Sequence, residues 1–508
     1  MDFNMEKQGI NRSEIVYEGS VEQPVDCDVT LPDYCPDIMR ILRCTITPGI
    51  ASAGASGDRV TAEGTAVVRI IYVSDSGKIS CYEQTVPFSK SVNVSGLSEN
   101  VCVRAVASTQ YCNCRAVNQR RADIHGCIAI SFTVTAVKKQ EILCGVKGGG
   151  VQLKKKNMKV SDTICRLEKM FVLNEVKELD EDSPAVMRIL NTRACARVSE
   201  VKAITNKILL KGEVWAKITY CTEDGGVCCV EHTMPISQII EAEGIDENSN
   251  NCVHLDVCSF EVVPKADSAS EMKLMDITAR VSAFVTASCE KELETVCDAY
   301  STEYEADCEK QMMSLETLAG SFSDICLCRG TIEAPEAVSE IIDVWCTGVT
   351  EKAFIVSGKV KISGSLSVCV LYQSADSQPC MAEKALDYEY ERDVSMSGAN
   401  GRCEPWVYPG DCVASGGGSG KIEIKAEINI SAELYEVNED RIISSIAIDE
   451  SKARQNTAAA LTIYYSEQGE SVWNIARRYN TTVEAVMNEN GLDSETVGSR
   501  RMLLIPSV

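Results

Sequence analysis

Twenty-six cysteines and three histidines are the side chains of this 508-residue chain best suited to metal or redox chemistry. Zinc sites favour Cys-x-x-Cys pairs or mixed Cys/His clusters. Here the close cysteines are Cys112-x-Cys114, Cys326-x-Cys328 and the adjacent Cys228 and Cys229. A Cys-x-Cys puts both sulfurs on one face of a strand, which suits core packing at least as well. His125, His232 and His254 stand in dissimilar contexts, and no metal site is expected. The thiols read as small buried hydrophobes, with oxidative cross-linking in a late assembly as the other outcome.

Catalytic patterns are not found. A hydrolytic triad needs a histidine held between a nucleophile and a carboxylate, and none of the three histidines has a matching signature. SGGGSGK (415–421) is set out like a phosphate loop, but Ser415 replaces the first glycine and Ile422 follows the lysine where a magnesium-binding hydroxyl is needed. A hairpin turn between two strands is the expectation there. DEDS (180–183) reads as a turn or cap before Pro184. The chain is expected not to be an enzyme and to use no cofactor.

The balance of 74 acidic against 50 basic residues, a net charge of −24, disfavours nucleic acid and anionic lipid. The basic run KKKNMK (154–159) follows Gly148, Gly149 and Gly150 and reads as a solvated linker. No stretch approaches 18 uninterrupted apolar residues, and the first residues have no apolar core for export. The expectation is a chain that stays in the compartment where it is made.

The elements that must carry these residues come three times. Pro36, Gly64 and Tyr72 are followed by Pro184, Gly212 and Tyr220, then by Pro335, Gly364 and Tyr372. That period is the size of a domain. The prolines open PDIMRIL (36–42), PAVMRIL (184–190) and PEAVSEII (335–342), which read as short apolar helices. The glycines sit in alternating runs; in the first, Val60, Ala62, Gly64, Ala66, Val68, Ile70 and Tyr72 share one face. A glycine midway suggests a bend or bulge where the strand passes between sheets. Each copy closes with another alternating run, cleanest at 421–437, where Ile422, Ile424, Ala426, Ile428 and Ile430 oppose charged and polar neighbours. The fold class expected is mainly β: three tandem sandwich- or barrel-like repeats with short helices, then a small β-α-α-β unit. The boundaries are 1–147, 151–307, 308–450, a linker at 451–460 and a tail at 461–508.

In that tail LTIYY (461–465) forms a strand. VWNIARRY (472–479) is a helix with Val472, Ile475, Ala476 and Tyr479 on one face, capped by Ser471. Thr482 caps a second helix ended by Gly491, and RMLLIP (501–506) returns as a strand. GESVWNIARRY, TTVEAVMNEN and VGSRRMLLIP together closely resemble a LysM domain. With VTLPDYCPDIMRIL (29–42), the three β repeats resemble the SPOCS-type repeat of endospore proteins. The whole arrangement is similar to the SipL family of spore-coat morphogenesis proteins.

That resemblance implies a noncatalytic scaffold in the mother-cell cytoplasm at the forespore surface. It implies as partner the spore-coat morphogenetic ATPase of the basal layer, together with other coat proteins, and a LysM contribution to the contact. The alternative it leaves open is a cell-wall protein whose LysM domain binds peptidoglycan or N-acetylglucosamine oligomers. By position the LysM groove is Gly469, Glu470, Ser471 and Val472 facing Asn490, Gly491, Leu492 and Asp493. Glu470 and Asp493 are the better contact candidates; Ser471 and Gly491 also suit structural roles. Trp473 either packs against the domain surface or anchors a partner.

Overall fold

A computed structural model describes residues 4–97, 100–396, 400–416, 420–454 and 461–507. The first repeat has six strands: β1 (Asn4–Thr30), β2 (Ile38–Ser56), β3 (Arg59–Ser74), β4 (Ile79–Asn93), β5 (Val101–Asn118) and β6 (Arg121–Lys147). The second has β7 (Val151–Glu178), β8 (Arg188–Ile204), β9 (Lys207–Cys221), β10 (Val227–Glu241), β11 (Asn250–Lys265) and β12 (Leu274–Ser301). The third has β13 (Tyr304–Glu333), β14 (Val338–Val349), β15 (Lys352–Val356), β16 (Lys359–Ser374), β17 (Pro379–Asp393), β18 (Gly401–Gly416) and β19 (Lys421–Ala453). In each repeat one sheet is formed by the first, last and penultimate strands, ordered β1-β6-β5, β7-β12-β11 and β13-β19-β18. The other sheet is β2-β3-β4, β8-β9-β10, or β14 and β15 on one side of β16 with β17 on the other. Apolar residues of the two sheets meet in one core per repeat. The expected mainly β class is thus found as two-sheet sandwiches.

The expected helices after the prolines are strands. Residues 38–56, 188–204 and 338–349 lie in β2, β8 and β14. Register shifts occur between Ile38 and Arg40, and between Ile41 and Arg43, with equivalents after Ile189, Val338 and Ile341. Each bulge inserts a residue, so Ile38, Ile41 and Cys44 face the core at spacings of three. Bulged strands therefore imitate the helical period.

The three landmarks form one device. Tyr72 and Tyr220 are fully buried, and each hydroxyl donates to the carbonyl of its landmark proline, Pro36 (3.0 Å) or Pro184 (3.3 Å). Tyr372 is buried in the same place in the third core. Burying each such ring contributes about 2–3 kcal/mol. The glycines let the neighbouring backbone close in. A Cβ on Gly64 would stand 2.1 Å from Gly49 O, one on Gly212 2.4 Å from Arg197 O, and one on Gly364 1.7 Å from Thr350 O. The bulge lies in the partner strand, at Ile50/Ser52 and Val198/Glu200. The glycine strand itself does not pass between sheets, because β3 pairs with β2 and β4 along its length.

KKKNMK (154–159) is not a linker. It lies within β7 and pairs with residues 292–298 of β12. Its lysines meet carboxylates on neighbouring strands: Lys155 with Glu294, Lys159 with Glu290, and Lys156 with Asp440. At the later boundaries, 304–307 belong to β13 and 451–453 to β19, while 455–460 of the expected linker lie outside the described residues. For the expected turn at 415–421, Gly416 pairs with Ile422, and 417–419 lie outside the described residues.

The repeats do not form beads on a string. One core takes Ile10 and Ile142 from the first, Val160 and Leu293 from the second, and Met313, Leu315 and Ile442 from the third. A second draws Ile71, Ile79 and Cys81, then Leu190 and Cys221, then Trp345, Cys369 and Leu371. Three-way cores at separate levels require the repeats to surround a common axis. At two of the three seams, equivalent positions make the contact head to tail. Arg43, Asn191 and Asp343 pair in register with Ile71, Thr219 and Leu371 respectively. Arg43 reaches the third repeat at Cys369 (2.7 Å) and Glu383 (3.0 Å). Asp343 reaches the second at Lys217 (3.0 Å) and Thr219 (2.6 Å). Lys78 closes the circuit by donating to Glu223 O of the second (2.9 Å). Such a heterologous contact, used in rotation, closes a ring.

Candidate functional site

The tail comprises β20 (Leu461–Ser466), α1 (Val472–Arg478), α2 (Val483–Asn490) and β21 (Arg501–Pro506). β20 and β21 form a two-stranded antiparallel sheet whose inner residues pack on the helices. Thr482 Oγ1 accepts from Ala485 N and caps α2, and Gly491 ends that helix in the left-handed conformation, φ 58°. Ser471 holds the N-cap position of α1, but its side chain makes no capping hydrogen bond; its carbonyl accepts from Asn474 and Ile475 instead.

The nine groove positions separate into supports and rim. The two loops are joined by backbone hydrogen bonds from Gly469 N to Val497 O, Val497 N to Glu470 O, and Val472 N to Glu495 O. Val472 is fully buried and Leu492 packs on the same core. Asn490 ties α2 to β21, donating to Val486 O and Leu504 O and accepting from Leu504 N at 2.7 Å. The Glu470 carboxylate accepts from Tyr464 Oη at 2.6 Å and from Glu467 N, so it braces the first loop. Gly469, Gly491 and Asp493 are exposed and Ser471 is half-buried. These four form the open rim.

Trp473 packs inward. The domain docks on the C-terminal end of β12, where Tyr300 joins the LysM core edge-on to Trp473, with ring centroids 4.9 Å apart. Tyr300 Oη donates to Thr481 O at 2.7 Å. Asp298 Oδ2 accepts from Trp473 Nε1 at 2.9 Å and from Arg477 at 2.8 Å, while Lys310 meets its other oxygen. Partial burial alone would raise the Asp298 pKa, but Trp473 and Arg477 hold it below the usual carboxylate value. The sequence had no signal for this dock, since its two sides lie some 175 residues apart.

A second polar constellation lies where the second and third repeats meet. Cys252 and His254 project from one face of β11, and Glu433 and Tyr435 come from β19. His254 Nε2 lies 3.3 Å from Cys252 Sγ and 3.2 Å from Glu433 Oε1. Tyr435 Oη donates to Glu433 Oε2 at 2.5 Å. Burial opposes charge on Glu433, yet the His254 and Tyr435 hydrogen bonds hold its pKa down at about 2. Burial and the nearby Glu433 push the Cys252 thiol up. The imidazole stacks on Trp406 with centroids 4.4 Å apart, and Arg104 of the first repeat covers the indole at 3.8 Å. Sequence reasoning dismissed His254; the alternation that places Cys252 and His254 on one strand face could have marked them.

The 26 cysteines are all free thiols, and Cys229 alone is exposed. No described helix is long and apolar enough to cross a membrane.

A ring of two-sheet modules carrying a docked β-α-α-β domain defines an array of binding-type modules. The family model described as SipL, SPOCS domain matches residues 37–117 and 185–263, and that of the LysM domain matches 467–506. The chain therefore carries SPOCS domains of the SipL type followed by a C-terminal LysM domain. No curated protein and no solved structure matches it. The matched SPOCS segments span β2–β5 and β8–β11, and β14–β18 repeat their strand order in the third module. This content supports a sporulation-related, LysM-containing protein with a spore-coat association, built from binding and scaffold domain families.

Proposed function

We propose that the protein is a noncatalytic scaffold of endospore coat assembly. It works in the mother-cell cytoplasm, where it tethers the morphogenetic ATPase of the coat basal layer at the forespore surface. Supporting this reading is the outer face of the LysM two-stranded sheet. Leu461, Ile463, Tyr465 and Met502 are between 45% and 68% exposed there, opposite the face that packs on the helices. A contiguous apolar strip on a two-stranded sheet suits a protein partner. A glycan would use the rim at Gly469, Ser471, Gly491 and Asp493.

The test uses full-length protein, co-sedimented with the polymerised ATPase and, separately, with peptidoglycan. Capture of the ATPase, weakened at least tenfold by Ile463→Ser with Tyr465→Ser, supports the tether. Peptidoglycan pelleting reversed by N-acetylglucosamine oligomers, without ATPase capture, would establish the glycan reading instead.

A further inference from the structure

We propose that Cys252, His254 and Glu433 form a zinc site that staples the second SPOCS module to the third. Their ligand atoms lie within 4.8 Å of one another, and two of the three residues are buried. Around tetrahedral zinc, bond lengths near 2.0–2.3 Å place nitrogen about 3.5 Å from sulfur and about 3.3 Å from oxygen. The observed separations from His254 Nε2 are 3.3 Å to Cys252 Sγ and 3.2 Å to Glu433 Oε1. Both separations from the imidazole thus match tetrahedral spacing, and the sulfur lies within 4.8 Å of the carboxylate oxygen.

The residues behind these atoms hold them in place. Zinc-binding imidazoles are oriented by a partner on the other ring nitrogen, and His254 Nδ1 lies 3.2 Å from Ser431 Oγ. Tyr435 Oη occupies the second Glu433 oxygen, leaving the first for the ion. The Trp406 face fixes the plane of the ring. Charge also balances: zinc replaces the Cys252 thiol proton, and thiolate plus carboxylate neutralise a divalent cation around a neutral imidazole. The Cys252 thiol proton leaves for each ion bound, and the Nε2 proton that His254 gives Glu433 shifts to Nδ1, where Ser431 Oγ accepts it.

Entry is available. Cys252, His254 and Ser431 line an open cleft of about 770 Å3, together with Asn251, Trp406 and Tyr408. A fourth coordination position is left for water or an incoming donor. One sulfur, one nitrogen and one carboxylate oxygen suit zinc over magnesium or calcium, which prefer oxygen alone.

The experiment loads the full-length chain with one equivalent of zinc, dialyses it and measures bound metal and the zinc X-ray absorption spectrum. About one zinc per chain with a single sulfur scatterer is the expected result. Metal below a tenth of an equivalent, or two or more sulfurs, would overturn the site, since other cysteines would then hold the ion. Cobalt loading gives a second readout. The thiolate charge-transfer band should vanish in Cys252→Ser and persist in Cys229→Ser, and its survival in Cys252→Ser would refute the assignment. Where Cys252→Ser does not fold, the sulfur count of the unmodified chain decides.

Discussion

The interior of each two-sheet module and the seams between modules follow opposite rules. Inside, equivalent positions carry the same residue: Tyr72, Tyr220 and Tyr372 fill one place, and Gly64, Gly212 and Gly364 face a crowding carbonyl. At the seams, equivalent positions carry Arg43, Asn191 and Asp343, and the first and last of these meet different partners. A two-sheet sandwich has to solve the same packing problem three times, whereas each seam is made once.

The glycine positions should break this comparison most severely. Gly364→Val is expected to cost about 3 kcal/mol or more, since its side chain would collide with Thr350 O and backbone cannot yield as a side chain would. Gly64→Val and Gly212→Val should act in the same direction. Urea denaturation of the three variants checks it, and a harmless Gly212→Val would show that the device is not shared.

Seam substitutions should depend on the module. Asp343 is buried, and Asp343→Ala leaves Lys217 and Thr219 without their carboxylate, costing about 2–3 kcal/mol. Asn191→Ala, at the equivalent position, is expected to cost far less. Adding Lys217→Met to Asp343→Leu should recover much of the loss, because an apolar pair often replaces a buried ion pair without penalty. A double-mutant cycle on melting temperature decides it. Equal losses at 191 and 343 would deny that the seams are individual.

A smaller effect belongs to the tyrosine hydroxyls. Tyr72→Phe removes the hydrogen bond to Pro36 O and should cost about 1 kcal/mol, with Tyr220→Phe close to it. Chemical denaturation resolves a difference of this size.

The smallest concerns the LysM dock. Asp298 has its pKa lowered in the folded protein, so its contribution is complete above the ordinary carboxylate value of 3.8 and is lost as pH falls through the lower folded value. The protection of α1 amides against hydrogen exchange, relative to the intrinsic rate at each pH, should be high at neutral pH, fall in acid, and fall at neutral pH in Asp298→Asn. Unchanged exchange in that variant would show that Asp298 does not hold the dock.

Much of the fold was legible. Alternation at 59–74, 207–221 and 359–374 marked the central strands, because a sheet with one buried face imposes a period of two. The LysM helices were legible through their apolar faces and the Thr482 cap. The strands after Pro36, Pro184 and Pro335 were misread because bulges alter the spacing. Residues 154–159 were misread because strand lysines facing carboxylates on neighbouring strands have the composition of a linker.

Of the candidate sites, the two loops of the LysM tail could be located from sequence because they flank recognisable helices. The separation of rim from support could not, since Asn490 shows its role only against Leu504. Cys252, His254 and Glu433 were invisible as a set, with 177 to 179 residues separating His254 from its β19 partners.

The amino-acid order alone determined three mainly β repeats, sandwich- or barrel-like, and a LysM tail, because periodicity, caps and tight glycines are local demands that the chain satisfies with its neighbours. Tertiary structure alone decided the ring, the LysM dock on Asp298 and Tyr300, and the meeting of β11 with β19. Those contacts join strands far apart in sequence, and complementary charge and shape exist only once both surfaces have formed.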